Sequence, residues 1–142
     1  MKRQDKYPDT NTFHFYNANP HNRFTTDCVI RAISTATEIP YNQVVMEMAE
    51  MQCKTGFDPS ENKLIDKYLT SKGWTRRPQP KKADNTKYTG TEYCEILKGD
   101  QTIICSLGTH HLSCIKRIDG QLKVWDTWNS TSGKVGIIWT KP

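Results

Sequence analysis

No stretch of this sequence approaches the roughly eighteen consecutive apolar residues that a membrane-spanning helix needs, so no span is expected. Residues Met1 to Thr12 are polar and charged and lack the apolar core of a secretory signal. They read as a flexible leader, and a cytoplasmic location follows by default. Cys-x-x-Cys spacing is missing too. The five cysteines, Cys28, Cys53, Cys94, Cys105 and Cys114, are odd in number and widely separated. That pattern argues against a disulfide framework and against a zinc ribbon. Cys105 and Cys114 fall on adjacent predicted strands with His110 nearby, but the spacing matches no standard metal site and both read as core. No metal and no cofactor is expected, and no internal repeat or second domain is visible.

What is present fits one domain. The chain has 142 residues, 35% of them apolar and 25% charged. That length can bury one real core. Net charge is +5 and the isoelectric point is near 9.0. The basic residues are spread along the chain, and the one dense run, Arg76 to Lys82, is interrupted by Pro78 and Pro80. It reads as a solvated loop rather than a nucleic-acid arm.

Taken in order, Thr12 to Tyr16 alternates weakly and predicts a short strand. Asn17 to Arg23 is a loop rich in chain-turning residues. A helix begins at Cys28 and ends near Thr37, with Val29, Ile30, Ile33 and Ala36 on its buried face. Pro40 opens a second helix through about Gln52, with Val44, Val45, Met48 and Met51 on one side. Ser60 caps a third, with Leu64, Ile65, Tyr68 and Leu69 inward, stopping at Gly73. Trp74 to Arg77 predicts a short strand, Pro78 to Gly90 a loop, and Thr91 the cap of a short helix through Leu97. Strands follow at Gln101–Leu107, His111–Ile118, Gln121–Trp128 and Val135–Thr140. Asp119-Gly120 is a strong hairpin signal between the middle two. Helices then a meander predict an α+β domain, its helices packed on an antiparallel sheet.

Cys28 stands at the predicted helix start, where unpaired N–H groups and the macrodipole favour negative charge. Thr25, Thr26 and Asp27 can cap that start. A thiolate is the attacking form of cysteine, and this position lowers its pKa; the bland alternative is a small core residue. An Asp27 carboxylate facing the thiol would raise that pKa, whereas one turned into a cap would not. A nucleophile also needs a base, and the base needs an orienting group. His110 and His111 open one arm of the Asp119-Gly120 hairpin, and Asp126 lies near the end of the other. Counting from the turn, His111 and Asp126 meet at the same open end as cross-strand or diagonal neighbours. An aspartate so placed fixes a histidine's tautomer. Leu112 and Cys114 share strand parity with His110 and Ser113 shares it with His111, which favours His111 as the base.

The order Cys28 on the first long helix, then His111, then Asp126 on the following strand resembles the papain-like cysteine peptidase fold. The run Gly108 to Ile115 followed by Trp125-Asp126 is similar to the bacteriocin-processing C39-type variant. Asp27-Cys28-Val29-Ile30-Arg31-Ala32-Ile33, His111-Leu112 and Asp126-Thr127-Trp128 together resemble small phage and bacterial proteins of this fold, over roughly Asn17 to Trp139. The resemblance implies a papain-like single domain and a cysteine hydrolase with Cys28 as nucleophile, His111 as base and Asp126 as its orienting group. It implies an oxyanion-holding amide at Asn22, six residues before Cys28. It implies a peptide, isopeptide or other amide substrate, and host cytoplasm if the protein is phage-encoded; with no apolar span in the sequence, no membrane partner is expected. The alternative is a non-catalytic phage or bacterial binding protein on the same scaffold.

Overall fold

A computed structural model describes all residues from 1 to 142. Its elements in chain order are α1 Arg3–Lys6, β1 Phe13–Phe15, α2 Cys28–Thr37, α3 Tyr41–Thr55, α4 Asn62–Ser71, β2 Thr75–Arg77, α5 Gly90–Ile96, β3 Ile103–Leu107, β4 Leu112–Ile118, β5 Gln121–Asp126 and β6 Val135–Thr140. The molecule is mixed α/β, with five helices and one six-stranded sheet.

The sheet is mixed, in the order β1-β5-β4-β3-β6-β2. β1 runs parallel to β5, pairing Phe13 with Val124 and Phe15 with Asp126. Every other pair is antiparallel. This corrects the expected wholly antiparallel sheet: everything from α2 to β4 intervenes between β1 and β5, so no tight hairpin dictates their direction. The C-terminal third is not a simple meander either, because β6 crosses back to lie against β3. The β4–β5 hairpin is as its turn residues predict. Asp119 and Gly120 both have positive φ, 52° and 80°, the requirement of a two-residue turn that matches strand twist.

Both sheet faces are covered. On one, Ile104, Leu112, Cys114 and Trp139 pack under Ala32 and Ile33 of α2, Val44 and Met48 of α3, and Leu64, Ile65, Tyr68 and Leu69 of α4. On the other, Cys105, Leu107, Ile115, Val124 and Val135 pack under Tyr93 and Cys94 of α5. Alternating strand residues serve the two layers in turn. The expected faces of α2 and α4 hold, whereas Val45 of α3 stands outside the core at 38% exposure. α3 runs to Thr55, three residues beyond the expected end at Gln52, and stops at Gly56 with φ 77°. Thr89, not Thr91, caps α5. Its hydroxyl accepts from Glu92 N at 3.1 Å while Glu92 Oε1 accepts from Thr89 N at 2.9 Å. Thr91 has no Glu or Gln three residues on and cannot form that reciprocal box. Ser60 likewise does not cap α4, which begins after Glu61.

The leader is not loose. It carries α1, and Arg3 Nε donates to Thr127 O at 2.6 Å. Asp9 accepts from Phe15 N at 2.8 Å and bonds His14 Nδ1 at 2.7 Å. These polar anchors give no apolar periodicity, which is why the sequence reads as flexible there. No helix is long and apolar enough to cross a membrane.

Candidate active site

Cys28 is the first residue of α2, and the first intrahelical bond of that end runs from Arg31 N to Asp27 O at 3.0 Å. The N–H groups of Cys28, Val29 and Ile30 therefore have no carbonyl to bond within the helix. None of the three flanking oxygens caps them, contrary to expectation. Asp27 is occupied elsewhere. Its carboxylate accepts from Arg31 Nε at 2.8 Å, Tyr41 Oη at 2.6 Å and Asn19 Nδ2 at 3.1 Å. Partial burial opposes its charge, but these donors outweigh that and hold the carboxyl below its ordinary range. Asp27 is thus turned into a polar network and away from the thiol.

The hairpin end supplies the candidate base. Extending the β4–β5 register, in which Cys114 faces Trp125, puts His111 opposite Trp128 and diagonal to Asp126. Both contacts exist: His111 Nε2 lies 2.6 Å from Asp126 Oδ2, and the His111 and Trp128 rings are 4.9 Å apart. With Nε2 spent on Asp126, Nδ1 is the nitrogen left for the thiol. His111 does not get there by strand parity. β4 starts only at Leu112, His110 takes a left-handed φ of 57°, and Leu107 N closes the turn onto His111 O at 2.9 Å. The chain swivels at His110, so Leu112 and Cys114 face α2 and yet His111 is the residue at the sulfur. His110 is exposed and makes no bond to Asp126.

Asp126, 2% exposed, accepts from four donors. Oδ2 takes His111 Nε2 and Ser130 Oγ at 2.7 Å; Oδ1 takes Arg31 Nη1 at 3.1 Å and Thr127 N at 2.8 Å. Burial would raise its pKa, but His111, Ser130 and Arg31 hold it below the usual range, so it stays a carboxylate. For His111, burial works against the charge, and Asp126 and Cys28 overturn that, lifting it to about 9. Burial likewise opposes a Cys28 thiolate, and the His111 imidazole and the Leu112 N–H at the sulfur lower the thiol's pKa below its ordinary value. These shifts run in the directions that favour a thiolate beside an imidazolium. The other buried cysteines go the opposite way. Burial pushes Cys94 and Cys114 up to about 12 and Cys105 well above its ordinary value. Cys53 is exposed on α3.

The structure brings Cys28, His111 and Asp126 together and leaves Asn22 out. Asn22 is exposed, has a left-handed φ of 53°, and donates its N–H to Asn19 O at 2.9 Å. Its turn is held by Asn17 Nδ2 on Arg23 O at 2.9 Å, and Asn22 does not line the cavity at Cys28. The unpaired N–H groups at the start of α2 are the donors left for an oxyanion. The cavity itself is about 930 Å³ and opens between the start of α2, the α3–α4 connection and the β3–β4 turn. Arg31, Ser130, Asn19 and Tyr41 escaped sequence reasoning. Of these only Arg31 carried a signal, four residues after Asp27 on a predicted helix. No group of three or more metal-ligating side chains exists. No family model, no curated protein and no solved structure matches this chain.

Proposed function

We propose that this protein is a papain-like cysteine hydrolase or acyl transferase acting on a peptide, isopeptide or other amide. One observation carries the reading: a lowered-pKa thiol at an uncapped helix start, served by a histidine whose far nitrogen is fixed by a buried, fully bonded aspartate. In the reaction, the Cys28 thiolate attacks the carbonyl carbon, and the carbonyl electron pair moves to oxygen beside the α2 N–H groups. The tetrahedral species collapses, the C–N bond breaks, and His111 gives its proton to the departing amine. His111 then takes a proton from water, or from an acceptor nucleophile, whose oxygen or nitrogen displaces Cys28. Asp126 holds His111 throughout and remains a carboxylate. A non-catalytic binding protein on this scaffold is the second reading, and the position of Asn22 outside the cavity favours it.

Two measurements on the purified chain separate these readings. With iodoacetamide at pH 7, peptide mapping should show Cys28 alkylated faster than the exposed Cys53, and Cys94, Cys105 and Cys114 protected. His111→Ala should slow Cys28 and leave Cys53 unchanged. With p-nitrophenyl acetate, the hydrolase reading expects a thioacetyl group on Cys28 that turns over, and none in Cys28→Ser. Selective alkylation without acyl transfer would leave the binding reading. Equal labelling of Cys28 and Cys53 would remove the enzyme.

A further inference from the structure

The wall of the Cys28 cavity carries cations whose charges are unequally satisfied. Arg31 has Nε on Asp27 and Nη1 on Asp126. His111 is paired with Asp126. Arg3, on the same cavity, has no carboxylate within ion-pair distance. Its side chain is nevertheless fixed. Nε donates to Thr127 O at 2.6 Å, and the guanidinium lies 4.9 Å from the Phe24 ring centre and 5.6 Å from that of Tyr7. Thr127 is 3% exposed and directly follows Asp126, so this anchor ties Arg3 to the triad's own strand end. The Nη1 and Nη2 groups make no hydrogen bond within the chain. The cavity's lone acidic lining residue, Asp58, is on the α3–α4 connection and is held by Ser60 N at 2.8 Å and Ser60 Oγ at 2.6 Å.

A guanidinium oriented by an aromatic ring and a backbone carbonyl, with its fork unpaired, is a preformed carboxylate receptor. The rotamer entropy that a flexible Arg loses on binding is already spent here. We propose that Arg3 is the anion-binding subsite of the Cys28 cavity, and that the substrate is a peptide with a carboxylate close to the reacting carbonyl. The carboxylate is either an Asp or Glu side chain or the C-terminus of the peptide. The inference rests on the reading of Cys28 as a nucleophile.

The test uses three chloroacetyl dipeptides, each of which alkylates a thiolate as its chloride leaves. Chloroacetyl-Gly-Gln-amide is neutral, chloroacetyl-Gly-Glu-amide has a side-chain carboxylate, and chloroacetyl-Gly-Gln acid has a terminal one. The rate at Cys28 is read by peptide mapping, as a ratio of acidic to neutral probe. One of the acidic probes should react about tenfold faster than the neutral one, with the advantage shrinking as salt is raised. Which probe wins identifies the source of the carboxylate. Arg3→Gln should bring the ratio near unity, and Arg3→Lys, which keeps the charge without the fork, should leave an intermediate ratio. A native ratio of unity, or one unmoved by Arg3→Gln, overturns the proposal. If the neutral probe itself fails to prefer Cys28 over Cys53, the nucleophile reading fails instead, so the two failures are distinct.

Discussion

Asp126 accepts four hydrogen bonds, and its two cationic partners pull on different oxygens. Arg31 is 8% exposed and bridges it to Asp27. Such a group is costly to alter from either side. Asp126→Asn should leave the buried Arg31 with Asp27 as its one carboxylate partner and destabilise the fold by about 1.5–3 kcal/mol, measured by denaturant unfolding. The same substitution should bring the His111 titration, followed by its imidazole NMR signals, down from about 9 toward the ordinary 6.5. Under the proposed function, the pH dependence of acyl transfer follows from the same groups. The thiolate–imidazolium pair forms as pH rises through the lowered Cys28 pKa, and the imidazolium that protonates the leaving group is lost above about 9. Under the proposed function, activity should rise as pH passes through the lowered Cys28 pKa and fall on an alkaline limb near 9, measured as initial rate against pH. Stability has its own acid limb. Asp27 and Asp126 are held below 3.8, so their contribution is complete above that value and is lost as pH falls through their lowered pKa values. The Cys, His and Asp were legible because each carries a chemistry and the hairpin count brings the last two together. Asn22 was placed by spacing alone, and spacing does not register the left-handed turn in which it sits, off the cavity lining.

Among the elements, the β3–β4 turn and the loop after β5 settle the site's geometry. The parity argument reached His111 for a reason the structure does not use. It presumed a strand beginning at His111, whereas a positive φ at His110 starts it one residue later. Periodicity reports pleat, and a single swivel between strands has no period to read. The loop carrying Ser130 is held by close backbone contact. A Cβ at Gly133 would meet Leu107 C at 3.0 Å, Gly108 N at 3.1 Å and Ser130 O at 3.2 Å. Backbone atoms cannot step aside as a side-chain tip can. Gly133→Ala should cost about 1–3 kcal/mol in unfolding free energy and displace Ser130 from Asp126. Helix positions read well because their apolar spacing is strong, as in α4. Caps read less well. Thr89, Thr91 and Ser60 all offer a hydroxyl, and only Thr89 has the acidic partner at the right distance.

At the level of the whole molecule, one sheet separates two apolar layers, and the site lies where the strands run out on the α2 side. Composition and the order of helices and strands make a mixed α/β domain legible. The parallel β1 and the return of β6 to β3 were not, since both depend on pairings between segments far apart in sequence. The anchor from Arg3 to Thr127 spans a separation of 124 residues, and Arg31 reaches Asp126 across 95. A chain made from its N-terminus displays Cys28 well before the histidine, the aspartate and the serine that complete its surroundings. Domains fold as units while residues are still being added. Until β4, β5 and the Ser130 loop have emerged, Cys28 lacks the His111 imidazole and the aspartate that holds it. Under the proposed function, reactivity at Cys28 therefore waits on segments made long after it, and a chain that has not yet added them lacks the completed site.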